Sequence, residues 1–414
     1  MSEWKEYKIS NIGKVVTGKT PRTSISDNYG GTIPFLSPSD DMESKYVPIT
    51  ARCLTEKGLS EVKNCLIPKN SICVSCIGSD MGKSVITDRP IVTNQQINSI
   101  IPSESFDPHF VYYLMQGKRR EIRFIGRNGT AVPILNKNAF SNLTITAPDI
   151  DEQHRISSFL SALDSKIAVN RRICENLEAQ AQALFKHWFI DFAPFKEGKF
   201  VESELGMIPE GWRVGRLDEY VDNLSGYSYK GNELQPSTTA MATIKNFVRG
   251  GGFKIEGYKE IVISKNIKEY QYVNLFDVLV AHTDLTQNAE VVGNPAIILS
   301  TAGYEKLIMS MDLTKVVSKD ARITPPLLHS ILSTRKFKEH ALGYINGTTV
   351  LHMSKKAVPE YILVMPKNLD TLKELTSVLD NLYYLMSETY AENIRLSTLR
   401  DTLLPKLMSG QIKV

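Results

Sequence analysis

From Glu152 onward, seam positions recur at alternating steps of four and three: Ile156, Leu160, Leu163, Ile167, Asn170, Cys174, Leu177, Ala181, Leu184 and Trp188. A seam of this kind predicts one long helix that buries a narrow stripe against a partner helix. The stretch from Glu152 to Ile190 holds neither Pro nor Gly, so its roughly 39 residues make a rod of ~58 Å at 1.5 Å per residue. A second stripe, Leu375, Leu379, Leu382, Met386, Thr389, Asn393, Leu396 and Leu403, predicts a comparable helix that stops near Pro405. Two rods in one chain, each with one apolar seam, bury those seams most simply against each other as an antiparallel pair. Asn170 and Asn393 fall on the seams, where a buried amide fixes register at some cost in stability. The plainer reading is an amphipathic core helix with an exposed Asn.

Ahead of each rod, short β-type runs prevail, and their landmarks recur in order. Trp4-Lys5-Glu6-Tyr7 opens the first copy and Trp212-Arg213-Val214-Gly215 the second. Asp107-Pro108 and Thr324-Pro325 each set a cap before a Pro at the first helical position. Both following helices are expected to turn basic, through Lys118, Arg119, Arg120 and Arg123 in copy one and Arg335, Lys336 and Lys338 in copy two. Asn128-Gly129-Thr130 and Asn346-Gly347-Thr348 come next, then Ala147-Pro148 and Met365-Pro366. Trp4 and Trp212 lie 208 apart, whereas Asn128 and Asn346 lie 218 apart. The extra residues of copy two are expected in the glycine-rich stretch Arg249 to Gly257.

A repeat of this length fixes the architecture. The expected class is mixed α+β: two globular α/β modules separated by two long antiparallel helices in a pseudo-two-fold repeat. The modules span 1–150 and 209–367, the helical regions 151–190 and 368–414, and a turn-rich linker covers 191–208.

The chain's 414 residues, 42% hydrophobic and 23% charged, exceed what one core supports and fit a globular protein of several domains. A net charge of +4 permits nucleic-acid binding without arguing for it. Met1-Ser2-Glu3-Trp4-Lys5-Glu6 lacks an apolar signal core, and the longest apolar runs are too short to span a bilayer, so the expected location is cytoplasmic and off the membrane. Cys53, Cys65, Cys73, Cys76 and Cys174 form an odd set without a disulfide framework, which fits a reducing compartment.

Several motifs imitate chemistry. Gly13 to Thr20 matches the phosphate-loop pattern by letter, but β-branched Val15 and Val16 predict strand and Pro21 denies the helix that such a loop needs. Gly78 to Ser84 is one residue short of the same pattern and reads as a polar loop between strands. Cys73 and Cys76 fall in a strand-like alternation, where residues three apart face opposite sides, so no metal site is expected. Asp149 with Asp164 and Lys166 resembles a nuclease triad, yet Asp164 lies on the rod. Asn294-Pro295-Ala296 breaks the amino-methyltransferase pattern, and no serine-nucleophile elbow or metalloprotease His pair is present.

Taken in order, Gly18-Lys19-Thr20-Pro21, Ile33-Pro34-Phe35-Leu36, Thr93-Asn94-Gln95, the paired Asn-Gly-Thr motifs, Glu152-Gln153-His154-Arg155-Ile156 and the connector Glu204 to Trp212 resemble the type I restriction-modification specificity subunit family, across essentially the whole chain. The resemblance implies a non-catalytic DNA-recognition subunit. Each module would be a target recognition domain for one half of a split, asymmetric site in double-stranded DNA, and the helices would set the gap. It further implies assembly with two methyltransferase subunits and, for cleavage, with ATP-dependent motor-nuclease subunits, so that methyl donor, ATP and Mg belong to partners and this chain carries no cofactor. A coiled-coil scaffold without sequence-specific DNA binding is the principal rival, and a nucleotide-hydrolysing enzyme built on Lys19 the second.

Phosphate contacts require cations, and Lys118, Arg119, Arg120, Arg123, Arg127, Arg335, Lys336 and Lys338 are the candidates. Cations also complement a helix C-terminus, which is their competing explanation. Base reading in the major groove requires bidentate polar side chains. Ser79, Lys83, Arg89, Thr93, Asn94, Gln95 and Gln96 qualify in copy one, where Lys19, Thr20 and Arg22 are expected to form a DNA-facing turn. Tyr227, Tyr229, Lys230, His282, Thr283, Asp284 and Gln287 qualify in copy two.

Overall fold

The computed structural model describes residues 3–126, 134–348 and 350–414. Arg127, the first Asn-Gly-Thr motif and Thr349 lie outside the described residues. The chain divides into two compact units, Met1–Ile167 with Leu396–Val414, and Ala168–Arg395. The division cuts both long helices, so each rod contributes a segment to each unit.

In the first unit, β1 (Lys5–Lys8), α1 (Ile9–Ile12), β2 (Gly13–Thr17), β3 (Tyr29–Leu36), β4 (Cys53–Leu54) and α2 (Glu56–Glu61) come first. Strands β5 (Leu66–Ile67), β6 (Ile72–Ser75), β7 (Ser84–Ile86), β8 (Ile91–Thr93) and β9 (Ile97–Pro102) follow. Helices α3 (Pro108–Gly126) and α4 (Lys137–Ser141), strand β10 (Thr144–Ala147) and the first part of α5 (Ile150–Phe189) complete it. Two four-stranded sheets result, ordered β2-β9-β6-β7 and β4-β3-β8-β5, with β1 paired to β10.

In the second unit the remainder of α5 is followed by a hairpin that fills the end of the expected linker, β11 (Phe200–Ser203) and β12 (Gly206–Pro209), turning at Gly206 with φ 98°. The linker pattern hid it because two short strands leave little periodicity. Strands β13 (Trp212–Arg216), β14 (Val221–Ser225), β15 (Thr239–Ala242), β16 (Lys259–Glu260) and β17 (Tyr272–Val273) follow. Next come β18 (Val278–Ala281), β19 (Thr283–Asp284), β20 (Pro295–Ile297), β21 (Lys306–Met309) and β22 (Leu313–Ser318). Helices α6 (Pro325–Leu332) and α7 (Arg335–Leu342) lead to β23 (Ile345–Asn346), β24 (Leu351–Met353), β25 (Ile362–Pro366) and α8 (Lys373–Met408). Its four-stranded sheets are β14-β22-β18-β20 and β16-β15-β21-β17, β13 pairs with β25, and β19-β24-β23 form a further, three-stranded sheet. The order within the two four-stranded sheets is that of the first unit, including the parallel pairs β3·β8 and β15·β21.

Three sequence expectations need correction. The extra residues of copy two are not in the glycine-rich stretch: β3 to β4 spans 37–52 and β15 to β16 spans 243–258, equal lengths. They lie between β18 and β20 (282–294 against 76–83) and between β20 and β21 (298–305 against 87–90). The helix after Thr324-Pro325 is two helices, because Thr334 starts α7 by accepting the Phe337 N–H on its side chain. Finally, α8 runs through Pro405 to Met408 rather than stopping there. Leu407 and Met408 hold that last turn in the first unit's core beside Ile156, Leu160 and Phe110.

The seams behave locally as helix packing demands. In the second unit Asn170 is 1% exposed and its amide donates to Asn393 Oδ1 (2.9 Å) and Glu392 Oε2 (2.8 Å), while the Cys174 thiol faces the Met386 carbonyl. Ile156, Leu160, Ile167, Leu375, Leu379 and Met386 are buried, and Leu163, Leu177, Leu184, Leu382 and Leu396 are half-buried. Tyr383, off the expected stripe, is buried at 1% because α8 also packs on α6, where His329 Nδ1 meets the Tyr383 hydroxyl at 2.8 Å. At the end of α5, Trp188, Phe189, Phe192 and Phe195 gather with Trp212, the ring centroids of Phe189 and Trp212 lying 5.3 Å apart.

His329 gives this core a pH dependence. Burial holds its imidazole down at about 4, below the ordinary value near 6.5, so the folded unit keeps it neutral while the unfolded chain protonates it. Its stabilisation is complete above pH ~6.5 and is lost as pH falls through 4, about 3 kcal/mol in all. Urea unfolding at pH 7.5 and pH 4.5 will show a smaller acid loss for His329→Gln than for the parent chain.

Candidate nucleic-acid interface

Three backbone hydrogen bonds tie the same loop segments together in each unit. At the end of β2 the Lys19 N–H donates to the Thr93 carbonyl (2.9 Å), and at the end of β14 the Tyr227 N–H donates to Met309 (2.7 Å). After β6 the Cys76 N–H donates to Gln96 (2.9 Å), and after β18 His282 donates to Asp312 (2.7 Å). The Leu135 N–H reaches the Cys76 carbonyl (2.9 Å), and Met353 reaches His282 (2.8 Å). The close approach requires a residue without Cβ. A Cβ on Gly18 would lie 2.2 Å from the Thr93 and Asn94 carbonyl oxygens, and one on Gly226 would lie 2.0 Å from that of Ser310.

In the first unit this frame gathers Lys19, Thr20, Asn94, Gln95 and Gln96. Lys19 and Gln95 are exposed, and the Thr20 hydroxyl donates to Gln95 Oε1 (2.6 Å). Asn94 is buried and its Oδ1 accepts the Gln96 N–H, so it shapes the turn. Arg22 turns away to a bidentate pair with Glu61, which holds that carboxyl down at about 2. Ser79 is exposed on the β6–β7 loop. Lys83 is clasped by Asp80 and Glu43, Arg119 by Glu43, Lys118 by Glu121, and Arg89 by Asp88. Among the described residues no carboxylate lies within ion-pair distance of Lys19, Arg120 or Arg123.

The second unit departs further from expectation. Tyr227 is 3% exposed, and its hydroxyl donates to Glu233, so it is a core residue and not a base reader. Thr283 and Asp284 are buried; Asp284 accepts the N–H groups of Thr286, Val291 and Val292 and shapes the long β18–β20 loop. Lys338 donates to the carbonyls of Ala289 and Val292 and to Asn294 Oδ1, and burial lowers its pKa, which removes it from the phosphate-contact set. Tyr229 and His282 are half-buried; burial first, then Lys355 and His352, lowers the His282 pKa. Lys230 is exposed, and the exposed Gln287 donates to the Thr348 carbonyl. Arg335 pairs with Glu339, and Lys336 is exposed without an ion pair among the described residues. Both stand at the start of α7, where the helix dipole opposes them, so C-terminal helix stabilisation does not explain these cations.

Sequence reading missed Ser310, Met311 and Asp312. The β2·β9 ladder pairs Thr17 with Asn98 and the β14·β22 ladder pairs Ser225 with Thr314. Counting back along each strand, Met311 stands where Gln95 stands and Asp312 where Gln96 does. The signal was the repeat itself, had the insertions after β18 and β20 been located. In Cys73 and Cys76 burial pushes the thiols up to about 12 and about 11; Ser99 and Asn98 hydrogen-bond to them, and they belong to different apolar clusters. Among the described residues no group of His, Cys, Asp or Glu is placed to hold a metal ion. Gly13–Thr17 is strand, and no helix begins at Lys19-Thr20. Among the described residues no helix is long and apolar enough to cross a membrane.

Residues 1–179 match the type I restriction modification DNA specificity domain. The chain is 27% identical to the type I restriction enzyme MjaIX specificity subunit of Methanocaldococcus jannaschii, over 100% of this chain and 94% of that protein. It is 32% identical to the HindI specificity subunit of Haemophilus influenzae over 42% of this chain and 39% of that one. The crystal structure of a type I restriction-modification S subunit from M. genitalium shares its fold, with a TM-score of 0.57 at 16% identity, covering 98% of this chain and 96% of that one.

Proposed function

Because the chain belongs to the type I restriction-modification specificity subunit family, we propose that each of its two units reads one half of a split, asymmetric site in double-stranded DNA. It is the DNA-recognition component of such a system and not its catalyst. The observation that carries the two-half reading is the shared loop frame: identical strand order and backbone bonds, with Lys19, Cys76, Gln95 and Gln96 replaced by Tyr227, His282, Met311 and Asp312. Equal scaffolds with unequal side chains at the loops are what two different half-sites require. The cations Lys19, Arg120, Arg123 and Lys336, which have no ion pair among the described residues, are assigned to phosphates. In this reading the long helices α5 and α8 set the gap and dock two methyltransferase subunits, motor-nuclease subunits join for cleavage, and methyl donor, ATP and Mg reside on those partners.

The test is to map methylated motifs in cells carrying the chain with its methyltransferase. The expected motif is bipartite and asymmetric, and an extra helical turn in both α5 and α8 changes its gap without changing either half. A continuous or palindromic motif, or altered halves with an unchanged gap, counts against the reading. A scaffold without sequence-specific DNA binding predicts no motif at all.

The cations separate by role. In the assembled complex, Lys19→Ala and Lys336→Ala will each weaken DNA binding across sequences and flatten the salt dependence by about one ion. Lys338→Ala will leave the salt slope unchanged and cost about 1–3 kcal/mol of folding stability, since three oxygens lose their donor. A flattened slope for Lys338→Ala would return it to the phosphate set.

A further inference from the structure

We propose that Met311 reads the 5-methyl group of a thymine in the half-site bound by the second unit. The inference rests on the proposed function and deepens it by assigning one base contact. Met311 occupies the tip of the β21–β22 turn, the position that Gln95 holds in the first unit. Its backbone is fixed on every side: the Met311 N–H donates to the Tyr227 carbonyl (2.9 Å), the Ser310 N–H to Ala242 (2.9 Å), and the Leu313 N–H to Ser310 (3.0 Å). Ser310 beside it is fully buried, yet the Met311 side chain is 56% exposed and joins none of the unit's apolar clusters. A rigid turn therefore presents a long, polarizable, apolar side chain to solvent between two polar neighbours.

The chemistry narrows the ligand. Met has no strong donor or acceptor, so at this position it cannot read amino, keto or ring-nitrogen groups as Gln95 can. The thymine 5-methyl is the one apolar group that the four bases display in the major groove, and a flexible thioether fits around it closely. Gln95, its Oε1 held by the Thr20 hydroxyl, instead offers an amide N–H₂ with no acceptor among the described residues. The same frame thus reads hydrogen-bonding edges in one unit and a methyl group in the other.

The experiment uses the chain assembled with its methyltransferase subunits and duplexes carrying its mapped motif. Each thymine of both half-sites, on both strands, is replaced singly by deoxyuridine, which deletes only the methyl. For the parent chain one replacement in the second half-site is expected to weaken binding roughly threefold to tenfold. Met311→Ala weakens binding to the thymine duplex by a similar factor and is indifferent to that replacement, whereas Met311→Leu retains the discrimination. Specific binding with no Met311-dependent deoxyuridine effect, including a second half-site without thymine, overturns this inference and leaves the proposed function standing. Absence of any sequence-specific binding overturns both.

Discussion

Replacing Gly226 by valine will remove recognition of the second half-site and leave the first intact. The added Cβ would lie 2.0 Å from the Ser310 carbonyl oxygen, 2.5 Å from its carbon and 2.7 Å from the Met309 carbonyl oxygen, all backbone atoms. Neither yields as a side chain would, so β14 must part from the β21–β22 turn. The bonds from Tyr227 to Met309 and from Met311 to Tyr227 go with it, and Met311 and Asp312 lose their aim. With each misread base pair costing about 1–3 kcal/mol, losing two contacts lowers specific affinity roughly 100-fold or more. Single-base scanning of the duplex with the assembled complex will show flat preference in the second half and unchanged preference in the first. Gly18→Val will give the mirror result, because its Cβ meets the Thr93 and Asn94 carbonyls at 2.2 Å. Unchanged scanning profiles for both variants would refute the loop frame as the reading surface.

Asp164→Ala will destabilise the first unit by about 2–3 kcal/mol. This carboxylate sits where α5 and the last part of α8 pack within that unit. It accepts from the Tyr113 hydroxyl and from Arg400 Nη1 (2.8 Å), and Lys45 Nζ reaches Tyr113 (3.0 Å) and Ser161 (2.8 Å). Burial already lowers the Lys45 pKa, with Asp164 the main charge opposing that shift. Removing Asp164 leaves two partly buried cations without their shared counter-ion, although Arg400 keeps Asp401, which limits the loss. Urea unfolding followed in the first unit measures it. Adding Arg400→Met to Asp164→Leu should recover part of the stability, because an apolar pair of similar volume avoids the desolvation of both charges. A loss under about 0.5 kcal/mol for Asp164→Ala would mean that solvent already screens the network.

The site divided unevenly between what residues announce and what contacts decide. That Lys19, Thr20, Gln95 and Gln96 come together was legible because polar side chains cluster at strand ends of copy one. Tyr227 and Lys338 were misread, since nothing local tells a Tyr that meets Glu233 or a Lys that meets three oxygens from solvent-facing ones. Met311 was invisible because apolar residues are not sought among readers. Its equivalence to Gln95 passes through two insertions that only strand pairing locates.

Periodicity and order, which are properties of neighbouring residues, made the duplication, the two long helices and their seam asparagines readable along the chain. Strand order, the continuation of α8 through Pro405 and the pairing of Asp164 with Arg400 depend on residues far apart in sequence. Those were decided only by tertiary packing, where the shared core outweighs the lost backbone hydrogen bond at a proline and burial settles which polar groups remain free to meet DNA.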